Sequence, residues 1–242
     1  MLNFKRLMLA GSLLFIWLTA CNQQNNQDNQ NNQAAQAAQQ QIAAAQIDSL
    51  QKIVAHTSQR FHSYKNDTLI QILVAESSKQ KEPFNSLAYR ELVTRKDVSA
   101  DTLAAIVRRL KDRNALLPLI LLRNLNGTAY KSLPAELRAG VLTDALRASK
   151  MFNTWGFPPF YLQDASVALI DCGRPAVPAL KQMLRDTSAA PVFGSKQYME
   201  YLHYRYRLCD YALFFIRKIE DPKFIFPTAR DKRDSLISVE LK

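Results

Sequence analysis

From Leu69 onward the apolar residues of this chain return every three or four positions, and that spacing constrains its fold more than any other feature. Leu103, Ile106, Val107 and Leu110 share one face of a helix, as do Leu69, Ile72 and Leu73. A helix apolar on one side only cannot bury that side alone, so each must stack on neighbours. The spacing predicts an all-α fold. Asp67 caps a helix over 68–78, and Pro83 suits the first turn of a second that carries Phe84, Leu87, Ala88 and Leu92. Ser99 caps a third, whose last turn and exit gather Arg108, Arg109, Lys111 and Arg113; basic residues there complement the helix dipole and need no ligand. A fourth covers 116–125, with Pro118 early enough to be tolerated. Asn126-Gly127 ends it, and a fifth covers 132–148.

The N-terminal stretch is of another kind. Lys5 and Arg6 make a short positive end, 7–20 is a nearly unbroken apolar run, and Leu18-Thr19-Ala20-Cys21 follows. That order of features is a bacterial export signal, and the run is shorter than the roughly 20 residues a membrane span needs. The tetrad resembles the lipobox of bacterial lipoproteins. The resemblance implies that the Cys21 sulfur receives a diacylglyceryl group, that the chain is cut before Cys21, and that the mature protein stays on a membrane.

The chain then divides as signal 1–20, tether 21–33, a stalk or linker helix over 34–62, and a helical domain over 63–242. Residues 22–33 are almost pure Asn and Gln and carry nothing to bury, so they read as a flexible polar tether. Asn22, not Asp, follows the cysteine. In lipoproteins of the enterobacterial type the resemblance implies transfer to the outer membrane, and with Asp28 as the tether's one acidic residue we expect it to face the periplasm. Over 43–61, Ala43, Ile47, Leu50, Val54, Thr57 and Phe61 fall in heptad register. This seam would join copies into a homo-oligomer, or the helix would pack singly as an amphipathic element; both readings stay open.

The formal net charge is +11, and losing Lys5 and Arg6 with the signal leaves +9, a balance that favours anionic partners. Export sets nucleic acid aside. Cys172 and Cys209 remain in a compartment where a disulfide persists, yet both lie in apolar helical patterns where a free thiol packs as a small hydrophobe, so bridge and free pair are both open.

Residues 172–186, Cys-Gly-Arg-Pro-Ala-Val-Pro-Ala-Leu-Lys-Gln-Met-Leu-Arg-Asp, resemble the junction of two HEAT-type repeats: a helix, a glycine turn, then a helix opening on Ala-Val-Pro-Ala-Leu. Ala212-Leu213 echoes Ala168-Leu169 at a separation within the repeat length of that class. The segment 187–199 is longer than a regular joint. The resemblance implies a HEAT-like α-solenoid serving as a scaffold for another protein.

Chemistry is sparse. His56, His62 and His203 stand in no metal-ligand spacing, no glycine-rich phosphate loop occurs, and no serine sits in a nucleophile elbow. No catalytic residue, metal or cofactor is expected. The candidates are for binding: Tyr198, Tyr201, Tyr204, Arg205 and Arg207 interleave aromatic and basic side chains on what reads as one helix, although the same spacing also suits a packed core face. In the loop 151–159, Phe152 should pack inward, while Trp155 and Phe157 flank Gly156 and are expected to form an exposed apolar patch. Two functions follow as expectations: a lipid-anchored, non-catalytic scaffold for another envelope protein, or a basic module for an anionic envelope polymer such as a glycan or lipid head group. The tail 222–242 reads equally as a terminal cap or a partner's handle.

Overall fold

The computed structural model describes residues 39, 44–49, 52, 56–79, 85–150, 152–190 and 195–242. The lipobox with Cys21, the tether, Pro83, Phe84 and the seam positions Ala43, Leu50 and Val54 lie outside the described residues. The chain falls into two compact units, 1–60 and 61–242. In the first, 44–49 and 56–60 are helical, Ile47 is exposed, and Lys52 pairs with Asp48 one turn away at 2.8 Å. Among the described residues no helix is long and apolar enough to cross a membrane.

The second unit is mostly helical. Its entry is pinned by Arg95, whose guanidinium donates to the carbonyls of His62 (2.8 Å) and Tyr64 (2.7 Å) and to Asn66 Oδ1 (2.9 Å). Eleven helices follow among the described residues: α1 (Asn66–Ser78), α2 (Leu87–Leu92), α3 (Ala100–Leu110), α4 (Leu116–Leu125), α5 (Gly127–Ser132), α6 (Ala135–Arg147), α7 (Asp164–Asp171), α8 (Val177–Met183), α9 (Ser195–Tyr204), α10 (Leu208–Glu220) and α11 (Arg230–Glu240). Ser99 caps α3 by accepting the Thr102 N–H, and α4 has the bounds that its sequence predicts. Asp67 sits inside the first turn of α1 instead of capping it. The helix expected over 132–148 is α6, which starts three residues later, after Pro134; the short α5, capped by Asn126, precedes it where only a helix end was expected.

Leu117, Leu119, Ile120, Leu121 and Leu122 are all fully buried, so α4 is apolar on every side and forms the centre of the first half. It packs against α1, α3, α5, α6 and α7; α6 in turn meets α7 and α8, and α10 packs against α7, α8 and α11. Packing partners therefore stay close along the chain. Gly173, at φ +68, turns the chain between α7 and α8.

One hairpin interrupts the helices. β1 (Gly156–Phe157) pairs antiparallel with β2 (Tyr161–Leu162), and Gly156 at φ +82 makes the approach that no other residue would allow: a Cβ there would stand 2.5 Å from the Tyr161 carbonyl oxygen. Tyr211 on α10 donates to the Gly156 carbonyl at 2.8 Å and holds the hairpin on the core. This geometry overturns the exposed patch expected at Trp155 and Phe157, which are 1% and 0% exposed. The left-handed glycine lets both rings turn inward, Trp155 edge-on to Phe215 and Phe157 against Tyr206, while Phe152 packs on Tyr211 as expected. The ring left outside is Phe160.

Candidate functional site

The tyrosine- and arginine-rich stretch expected to be one helix is two, joined by a tight reversal. α9 ends at Tyr204, Arg205 takes a left-handed backbone (φ +47), and Arg207 is extended before α10 begins. Segment 188–190 pairs with this reversal: Ala190 N–H donates to the Tyr206 carbonyl at 2.9 Å and Leu208 N–H to the Ser188 carbonyl at 3.0 Å. Asp210, at the third position of α10, accepts from the Arg207 backbone N–H at 2.8 Å and so supplies half of a capping box.

A buried ion network locks the corner. Asp210 accepts from Arg207 Nε (3.0 Å) and Nη2 (2.9 Å), and from Arg233 Nε (3.0 Å) on α11. Arg233, fully buried, also donates to the Tyr204 carbonyl at 2.9 Å and to the Thr228 carbonyl, and lies 4.6 Å from the centre of the Tyr206 ring. Arg207 adds a contact with Asp234. Its carboxylate partners raise the Arg207 guanidinium well above its ordinary value, so the charge is fixed. These bonds use Arg207 in the fold: its side chain is largely buried and paired with two carboxylates, so less of it is offered to a partner than its place in the sequence suggests.

Arg205 is different. It projects from the same reversal into solvent, and no ion pair of its side chain occurs among the described residues. Beside it a groove of about 390 Å³ runs between Tyr201 and Leu202 on one side and Thr187 and Ala189 on the other, with Arg230 from α11 at its rim. Arg230 is held only loosely, 3.8 Å from Asp234. Next to the groove, α9 exposes Tyr198 (50%), Met199 (66%) and Leu202 (44%), and Phe160 (49%) continues the surface through its contact with Tyr204 at 5.2 Å. Tyr198, Tyr201 and Leu202 follow at helical spacing and share one face, and Arg205, just past the helix end, lines the groove with Tyr201 and Leu202. Tyr201 and Tyr204 are half-buried and connect that face to the core.

Of the expected binding residues, the fold thus brings Tyr198, Tyr201, Tyr204 and Arg205 to one surface, keeps Arg207 largely buried but lining the groove, and withdraws Trp155 and Phe157. Spacing along one chain segment did not reveal Arg230, Phe160 or the 187–189 wall. The acidic residue three positions after Arg207 is the one local signal of the helix break, and it is weak because the cap itself is not Ser, Thr or Asn.

Cys172 and Cys209 are buried free thiols, and Cys172 Sγ lies 3.2 Å from the Ala168 carbonyl. Burial pushes both thiols up to about 11, which leaves them protonated and unreactive at neutral pH. Among the described residues no group of three or more His, Cys, Asp or Glu is placed to hold a metal ion. No protein-family model, curated protein or solved structure matches the chain.

Proposed function

We propose that this chain is a lipid-anchored cell-envelope protein, attached through Cys21, whose helical domain is a non-catalytic scaffold that docks an acidic partner protein on α9. The observation that carries the docking is the exposed run of Tyr198, Met199, Leu202 and Phe160 beside the cationic groove of Arg205 and Arg230. An apolar centre with a charged rim is the anatomy of a protein interface, and aromatic, Met and Arg side chains are enriched in such centres. The positive balance of the chain favours an acidic partner and speeds encounter with it.

The HEAT-like reading of the domain rests on the 172–186 junction and gains support from packing that runs between near neighbours in the chain. The hairpin and the six-residue helices α2 and α5 are departures from a regular repeat. The lipid anchor and the outer-membrane, periplasm-facing location rest on the lipobox resemblance and Asn22.

A photo-crosslinking side chain at Met199, compared with one at exposed Ala105 on α3, tests the docking in intact cells. The expected result is a protein adduct from 199 alone, lost when Arg205→Glu and Arg230→Glu are combined. Adducts that consist of glycan or lipid, or equal protein adducts from both positions, would contradict it. The polymer-binding alternative predicts binding that falls steeply with salt, whereas an apolar-centred interface loses only its rim contribution.

A further inference from the structure

A second concavity, of about 480 Å³, lies away from the groove between α2 and the start of α7. Tyr89, Val93 and Ala165 give it apolar surface, Arg90 and Asp164 line it with opposite charges, and Asn153 and Gln163 line it from either side of the hairpin. The β1–β2 pairing explains why 153 and 163 share one cavity, since it folds the chain back on itself between them. Asn124 on α4 ties two of the lining residues together: its amide nitrogen donates to Tyr89 Oη at 2.7 Å and to Asp164 Oδ2 at 3.0 Å, joining α2, α4 and α7. Tyr89, Thr154 and Ala165 anchor the lining in the core, the rest of it is exposed or half-buried, and the cavity's size is that of a small-ligand site.

Its chemistry limits the occupant. The guanidinium of Arg90 and the carboxylate of Asp164 cancel, so no net charge selects an ion. The other polar groups of the lining are the amides of Asn153 and Gln163 and the hydroxyls of Tyr89, Thr94 and Thr154. Burial pushes the Tyr89 phenol up to about 12, which keeps its hydroxyl neutral. Planar amide, carboxylate and guanidinium groups present paired donors and acceptors, the arrangement that spans two adjacent hydroxyls, and the apolar wall suits the C–H face of a ring. We infer that this cavity is a binding site for a neutral sugar, one or two rings in size. It is independent of the α9 surface and of what docks there.

The test is titration of the full-length protein in detergent, by calorimetry, with a neutral hexose, an N-acetylhexosamine, a disaccharide of each, a sugar acid, glycine and inorganic phosphate. The expected result is saturable binding of at least one neutral sugar, weakened about tenfold or more by Asn153→Ala and by Arg90→Ala, and abolished by Val93→Trp, which fills the space without removing a polar group. Arg205→Glu should leave it unchanged. Melting curves confirm that each variant is folded, and Val93→Trp and Arg90→Ala alter exposed positions, so at least these two remain informative. No saturation by any neutral sugar up to about 10 mM would overturn the inference. So would binding confined to glycine, phosphate or the sugar acid, or sugar binding that survives Val93→Trp.

Discussion

Asp210 holds two buried guanidiniums, Arg207 and Arg233, and removing it would leave both without their shared counter-charge. Breaking a buried ion pair on one side costs about 3–5 kcal/mol, so Asp210→Ala should lower the urea midpoint strongly with little change in slope. Equal stability of that variant would mean the corner is held by packing alone. A pH dependence follows from other buried groups. Burial raises the thiols of Cys172 and Cys209 to about 11 and the phenols of Tyr89 and Tyr130 to about 12. Above their unfolded values, 9.0 for the thiols and 10.0 for the phenols, the folded chain keeps protons that the unfolded chain releases. The stability these groups contribute is thus fully present below about pH 8 and is lost as pH rises through 9 to 12, which unfolding midpoints measured across that range would register. Native protein should react slowly with thiol reagents at neutral pH, and unfolded protein rapidly. None of this network was legible in the sequence: Arg207 looked like a ligand-binding side chain because its partners, Asp210 apart, lie on α11, more than twenty residues away.

Elements set by local signals were legible, and those set by distant contacts were not. Ser99 and the unbroken apolar run of α4 announce their helices by capping and composition, and those elements stand where expected. The hairpin at 156–162 did not announce itself, since a short aromatic and proline-rich loop gives no period to read. It depends on Gly156, and Gly156→Ala should destabilise by more than Gly173→Ala. Both place a side chain at positive φ, a strain of about 1–3 kcal/mol, but only at 156 does the new Cβ meet backbone, whereas at 173 it meets open space. Comparable denaturant midpoints for the two variants would show that the hairpin yields easily. Arg205 carries the same kind of strain at φ +47. Arg205→Gly should therefore leave stability nearly unchanged, as relief of strain offsets the added chain entropy, while it removes the one exposed, unpaired charge of the groove. A large loss of stability with intact docking would reverse that assignment of the residue.

For the molecule as a whole, the tail 222–242 packs α11 on α10 and buries Arg233 and Ile237, while Ile225 and Val239 stay exposed. The mostly helical class was legible because it needs only the period of apolar residues, whereas the proposed docking surface needed the reversal at Arg205 and the approach of α11 to α9. The proposed function joins that surface to a membrane address, and the address rests on Cys21. Each buried methylene of an acyl chain contributes about 0.8 kcal/mol, so several chains on one cysteine would hold the domain at the envelope permanently. Cys21→Ser should release the protein from the membrane fraction without altering the stability of the helical domain. Intact-mass and N-terminal peptide analysis of the protein from that fraction tests the account most directly. The prediction is a chain that begins at Cys21 and carries the mass of a diacylglyceryl group on its sulfur; a chain that retains Met1, or one cut near this point with an unmodified cysteine, would contradict it.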